Sequence, residues 1–353
     1  MYILLAIFMF SVLIFVHEFG HFITAKLSGV QVNEFAMFMG PALWQKQIGE
    51  TLYSIRCIPI GGYCAMEGED EASDNPRAFG QAAWWKKLII LTSGAAMNFV
   101  TGVLIFTALY LPAQVIVQPV IVEFTDCCTF NHEAGLKLGD EILEIDGEKV
   151  YLNSDISTLL SLNPTGVHDL KISRDGQILE WNNYPMTHNC VDANGNEYIH
   201  YGFGFGQAQE ASFRDRVELV WGVTAGNVRN IRLSLKMLVS GQAGLRDMTG
   251  VVGIVDMMSD TAAAAPTWVD AVLNMLYFAG FLSVNLAVMN LLPIPALDGG
   301  RAVCVLLTGI WEGITKKKLD PKYEGYLHAA GMIALLALMA VITFKDIFTI
   351  FRG

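Results

Sequence analysis

Four stretches of this chain stay apolar over a bilayer's width, and a water-soluble fold has little use for four of them. They cover roughly 2–27, 88–115, 269–292 and 326–344. At about 1.5 Å of rise per helical residue, each can cross ~30 Å of hydrocarbon. Backbone in hydrocarbon must satisfy its own hydrogen bonds, so helices are expected. Trp84-Trp85-Lys86-Lys87 introduces the second stretch as an aromatic and basic anchor suited to a membrane interface. The first reads as a retained span, because no Lys or Arg precedes Lys26 and no small-residue cleavage pattern follows the apolar run.

Composition agrees. Only 16% of the 353 residues are charged, against about 25% in ordinary soluble domains. The net charge of −11 and the lack of a basic stripe leave nucleic acid out as a partner; the partner composition implies is the lipid bilayer. Lys26, Lys46, Arg56, Arg77, Lys86 and Lys87 lie between the first two spans, and Arg301, Lys316, Lys317, Lys318 and Lys322 between the last two. Both connections are therefore expected on the cytoplasmic side, with the N-terminus and 116–267 outside.

The chain divides into 1–115 (two spans), 116–208 (a soluble domain), 209–267 (an amphipathic linker) and 268–353 (two spans). Residues 29–66 alternate like strands, with turns expected at Gly40-Pro41 and Gly61-Gly62, which suggests a β-hairpin layer against the membrane. Strands are expected at 115–123, 141–145, 169–173 and 178–184, and a helix at 153–162 capped by Asn153/Ser154. Over 211–240 Phe213, Val217, Val220, Ile231, Leu235 and Leu238 alternate with basic residues. This is a helix for the headgroup plane or for the soluble domain's surface. Cys127 or Cys128 could bridge to Cys190 in an oxidising space, or all three stay free.

His17-Glu18-Phe19-Gly20-His21 stands inside the first span, where ionisable groups are costly. Four residues apart on a helix, the two imidazoles share one face with Glu18 beside them, an arrangement that suits a zinc ion and a general base for water. A third ligand is sought among carboxylates in or near the spans. Asp298 follows a stretch broken by Pro293 and Pro295, on the same side as the histidines; His328 is the runner-up and Cys304 a distant third. A spanning substrate hides its carbonyls in helical hydrogen bonds and must be unwound to be cut. The strand edge near Ile58–Tyr63 could hold it by strand addition. Asn290 could hold the extended backbone or simply cap a helix.

These motifs make the chain resemble the site-2 protease family of bacterial intramembrane metalloproteases, of the regulator of sigma-E protease type. The resemblance rests on His17-Glu18-Phe19-Gly20-His21 and on Asn290-x-x-Pro293-x-Pro295-x-Leu297-Asp298-Gly299. Pro59-Ile60-Gly61-Gly62-Tyr63, Gly94-x-x-x-Asn98 and the PDZ-like run from Ala134 to Gly147 extend it. It implies Zn2+ held by His17, His21 and Asp298, with Glu18 as base. It also implies substrate contacts from Asn290, Pro293, Asn98, Gly61 and Gly62. The implied fold is a multi-pass α-helical membrane protein with four transmembrane helices, a membrane-associated β-hairpin layer and one extracytoplasmic PDZ-like α+β domain. The implied place is the bacterial cytoplasmic membrane, the active site toward the cytoplasm. Substrates would be single-span membrane proteins such as anti-sigma factors, or remnant signal peptides. The chain departs from the family pattern at Phe38-Met39, at Ala95 and at Val251, none of them a ligand. An inactive relative serving as a PDZ-based binding module, and a metal transporter, are the competing functions.

Overall fold

The computed structural model describes residues 2–69, 73–125, 135–191, 197–244, 248–316 and 321–352. It opens with α1 (Tyr2–Ser28). Gly29 ends that helix at φ +83°. Its N–H bonds Lys26 O at 3.1 Å and the Val30 N–H bonds Ala25 O at 2.9 Å, a Schellman cap that only a residue free to turn left-handed forms cheaply.

β1 (Val32–Ile48) and β2 (Thr51–Met66) form a hairpin whose turn is Gly49-Glu50. Each strand pairs twice. Residues 42–48 run antiparallel to 51–56, while Glu34 stands opposite both Leu52 and Ala65. The layer therefore reads 42–48, 51–56, 32–37, 62–66, with 62–66 at an edge among the described residues. The turns expected at Gly40-Pro41 and Gly61-Gly62 are instead bends inside long strands. Phe38, Gly40 and Gly61 take φ of 71°, 83° and 80° there, which lets one strand serve two partners.

α2 (Trp84–Tyr110) stops short of the expected Val115, because Pro112 cannot continue a helix and restrains the residue before it. Val115 already belongs to β3 (Val115–Phe124). Then come β4 (Glu141–Ile145), β5 (Glu148–Lys149), α3 (Asn153–Leu162), β6 (Val167–Arg174), β7 (Gln177–Pro185), β8 (His188–Val191), β9 (Glu197–His200) and β10 (Phe203–Glu210). Five helices complete the chain: α4 (Phe213–Ser240), α5 (Val251–Ala263), α6 (Trp268–Asn290), α7 (Asp298–Thr315) and α8 (Pro321–Arg352). α1, α2, α6 and the Gly325–Thr349 part of α8 are long and apolar enough to cross a membrane. α7 lies where the sequence suggested only a loop between spans.

Two compact units emerge: Met1–Ile105 with Asn230–Gly353, and Phe106–Arg229. In the first, Ala25, Phe35, Cys64, Met66, Leu91 and Ala302 join α1, the hairpin layer, α2 and α7 in one core. A second core joins Leu13 of α1 to Met258 of α5 and Met275 of α6. Asp346 of α8, 5% exposed, accepts the Gly250 and Gly253 N–H groups at 2.8 and 3.1 Å, which satisfies donors at the start of α5. On α8 itself Ile333, Leu336 and Phe344 remain exposed, as a lipid-facing helix requires.

The second unit is built on a six-stranded sheet ordered β10-β3-β4-β6-β7, with β5 on β4. Ile121, Ile142, Ile145, Ile156 and Ile172 fill its core. The N-cap of α3 is Leu152, not Asn153/Ser154; the Asp155 carboxylate reaches back to the Tyr151 and Leu152 N–H groups at 2.8 and 2.9 Å. Asp155 also binds Arg229 at 2.6 Å, a fully shielded pair that docks α4 on α3. Cys190 is disulfide-bonded. Cys127, Cys128 and Ala134, where the PDZ-like motif begins, lie outside the described residues.

Candidate metal centre

Helical spacing puts His17 and His21 on the buried face of α1, their Nε2 atoms 3.2 Å apart. Asp298, the first residue of α7, brings its Oδ2 to 3.0 Å from His17 Nε2 and 3.2 Å from His21 Nε2. These three residues are the one set of potential ligands that converges among the described residues. Neither His328 nor Cys304 joins them.

The protonation pattern suits a cation. His21 Nδ1 lies 2.8 Å from the Ile90 carbonyl, which can only accept, so Nδ1 carries the proton and Nε2 turns its lone pair inward. Asp298 Oδ2 is buried without a hydrogen-bond donor. Electron pairs facing one another out of water are unfavourable unless positive charge lies between them. The donor set, two imidazoles and one carboxylate, is that of a zinc site with a coordination position to spare.

Close backbone approaches build this cluster. A Cβ on Gly94 of α2 would fall 2.4 Å from His21 Nε2, and one on Gly20 would fall 2.5 Å from Ser93 O. At Gly299 and Gly300 a Cβ would meet Leu291 O and Ile294 O at 2.3 and 2.2 Å. Those two glycines let α7 start directly on the turn that ends α6, which delivers Asp298 to the histidines. Sequence reasoning quoted Gly94 within a motif but gave it no role; its signal was a small residue four before Asn98 in an apolar helix.

Glu18 is half-buried beside His17, with no hydrogen bond to a described residue. Gly62 faces it across the strand edge: a Cβ there would lie 3.5 Å from Glu18 Cγ. Gly61 packs on Met39. The Asn290 amide nitrogen sits 3.5 Å from both ring nitrogens of His17, at the limit of hydrogen bonding. Pro293 is exposed in the turn between α6 and α7. Asn98 is 1% exposed; its carbonyl accepts the Ser283 hydroxyl at 2.7 Å and its Oδ1 has no partner. Among the described residues no hydrogen bond joins Asn98 or Pro293 to the three converging residues. His328 instead accepts the Ala296 N–H at 3.2 Å, in the segment leading to Asp298.

The family model for peptidase family M50 matches residues 5–338. A Clostridium perfringens protein named "Putative zinc metalloprotease CPE1693" is 34% identical over 348 residues, 98% of each chain. A similarly named Clostridium acetobutylicum protein is 35% identical, over 98% of this chain and 97% of its own. Regulator of sigma-W protease RasP of Bacillus subtilis is 28% identical over 98% of each chain. This chain belongs to peptidase family M50, the site-2 proteases.

Proposed function

We propose that the protein is a zinc-dependent intramembrane endopeptidase that cuts peptide bonds within or near the spans of single-span membrane proteins. The observation that carries this reading is the convergence of His17, His21 and Asp298 beside Glu18, the two histidines and Glu18 on a helix apolar enough to cross a membrane. The catalytic apparatus is drawn from 1–115 and 268–353. Basic residues flanking the spans favour an active site toward the cytoplasm, in the bacterial cytoplasmic membrane. The 116–208 region then stands outside as a PDZ-like domain that screens substrates by the size of their outer parts.

His17, His21 and Asp298 would hold the ion. When bound, Zn2+ supplies Lewis acidity toward the scissile carbonyl and lowers the pKa of water toward ~7. Glu18 takes the attacking water's proton and returns it to the leaving amine. The 62–66 edge takes the unwound substrate as an added strand, with Gly61 and Gly62 leaving the backbone accessible next to Glu18. Asn290 and Pro293 line the approach, while the buried Asn98 joins α2 to α6 through Ser283. The Bacillus subtilis relative is named as a regulator of sigma-W protease; anti-sigma factors are one substrate class that fits this chemistry, and remnant signal peptides are another. An inactive binding module is disfavoured, since a complete ligand triad and a base serve no purpose in it.

Glu18→Gln tests the reading. Zinc content stays at the native value, while cleavage of a reconstituted spanning substrate falls by at least about a hundredfold. Retained cleavage refutes the assigned base.

A further inference from the structure

The edge segment 62–66 runs from the candidate base to the helix that carries a candidate metal ligand. At its start Gly62 faces Glu18. Beyond Met66 the chain bends at Gly68, φ 64°. There the Glu69 carboxylate takes the Met66 N–H on one oxygen at 3.4 Å. Its other oxygen is ion-paired with Arg301 Nη1. Arg301 stands in the first turn of α7, three residues after Asp298, and its N–H bonds Leu297 O at 3.2 Å. The two side chains are 16% and 29% exposed, shielded enough for the pair to be directional. Apolar contact runs alongside, since Cys64 and Met66 share a core with Ala302.

We infer that the Glu69–Arg301 pair is a positioning strut that registers the substrate-holding strand edge against α7, and thereby against Asp298. The inference rests on the proteolytic reading above. An added strand takes its register from the edge it pairs with, and a slip of one residue moves every carbonyl by about 3.3 Å. The pairing of 62–65 with 34–37 is regular, but the register shifts by one residue at the Met66 end, where Val32 stands opposite, and Gly61 bends the strand just before it. Backbone pairing alone therefore fixes the α7-facing end of the edge least well. The ion pair ties its far end to the same helix turn that presents Asp298. The pair acts through the strand end and the helix turn that it joins.

The test uses the full chain in proteoliposomes with a spanning substrate whose cut sites are read by mass spectrometry. Glu69→Gln and Arg301→Gln each lower kcat/KM on the order of tenfold and spread cleavage onto neighbouring peptide bonds, at native zinc content. The double variant costs no more than either single, as expected for partners in one interaction. Arg301→Lys, which keeps the charge, restores the native cut site. Native cut sites and kcat/KM in the single variants overturn the strut. So does a double variant whose loss equals the product of the singles, or zinc lost from Glu69→Gln. The native chain and Glu18→Gln measured alongside separate the two ideas. A zinc-loaded native chain that leaves the substrate uncut sinks the proteolytic reading, cleavage by Glu18→Gln sinks the assigned base, and a cutting native chain with unaltered strut variants sinks only the strut.

Discussion

Gly94 of α2 approaches His21 of α1 so closely that one added carbon would lie 2.4 Å from the imidazole Nε2 and within 2.8 Å of the His17 ring. With Gly20 against Ser93 O, this glycine lets two helices meet backbone to backbone. The same approach sets the Ile90 carbonyl on His21 Nδ1 and so turns Nε2 toward the metal position. A wall of this kind tolerates no methyl group. Gly94→Ala is expected to weaken zinc affinity by tenfold or more, measured by competition with a chromogenic chelator. Native affinity in that variant would show that the helices separate without disturbing the ligands.

Asp298 and His328 serve one segment in different ways. Asp298→Asn removes a charged ligand, and zinc analysis should find the variant largely empty. His328→Ala removes the acceptor for Ala296, a non-glycine residue at φ 83°, and should keep its zinc. Leaving that N–H without its partner costs about 1–3 kcal/mol, visible as a lower Tm. Zinc lost equally from both variants would return His328 to the ligand set.

The spacing of His17 and His21 and the proline-broken approach to Asp298 made the convergence of these three residues legible, because helix periodicity and carboxylate scarcity are properties of sequence. Three features were not. α7 carries Val303, Leu306, Leu307, Ile310 and Ile314 on a face that stays partly exposed. Asp298, Arg301 and Glu312 interrupt it too often for it to register as a span, and the lysines after it pointed to a loop. Gly40 and Gly61 signalled turns because a bulge and a turn call for the same left-handed glycine; only pairing decides between them. Long-range partners such as Glu69 and Arg301, 232 positions apart, leave no local trace.

The hairpin turn offers a pH signature remote from the metal. Glu50 is bound by Arg77 at 2.5 Å and by Lys26 at 2.7 Å, which ties the turn to the end of α1. Hydrogen bonds from Arg77 and then Lys26 hold its carboxyl down at about 2, against a usual value near 4.5. A folded-state value below the unfolded one means stability is present above about pH 4.5 and is lost as pH falls toward 2. Arg77 is half-exposed, so solvent screening keeps the effect below about 1 kcal/mol. Thermal unfolding of the native protein and Glu50→Gln should therefore differ most near pH 6 and converge as pH drops below 4.5. Because the comparison is between two chains that share every other carboxylate, a gap that stays constant across that range would mean the pair contributes nothing through its charge.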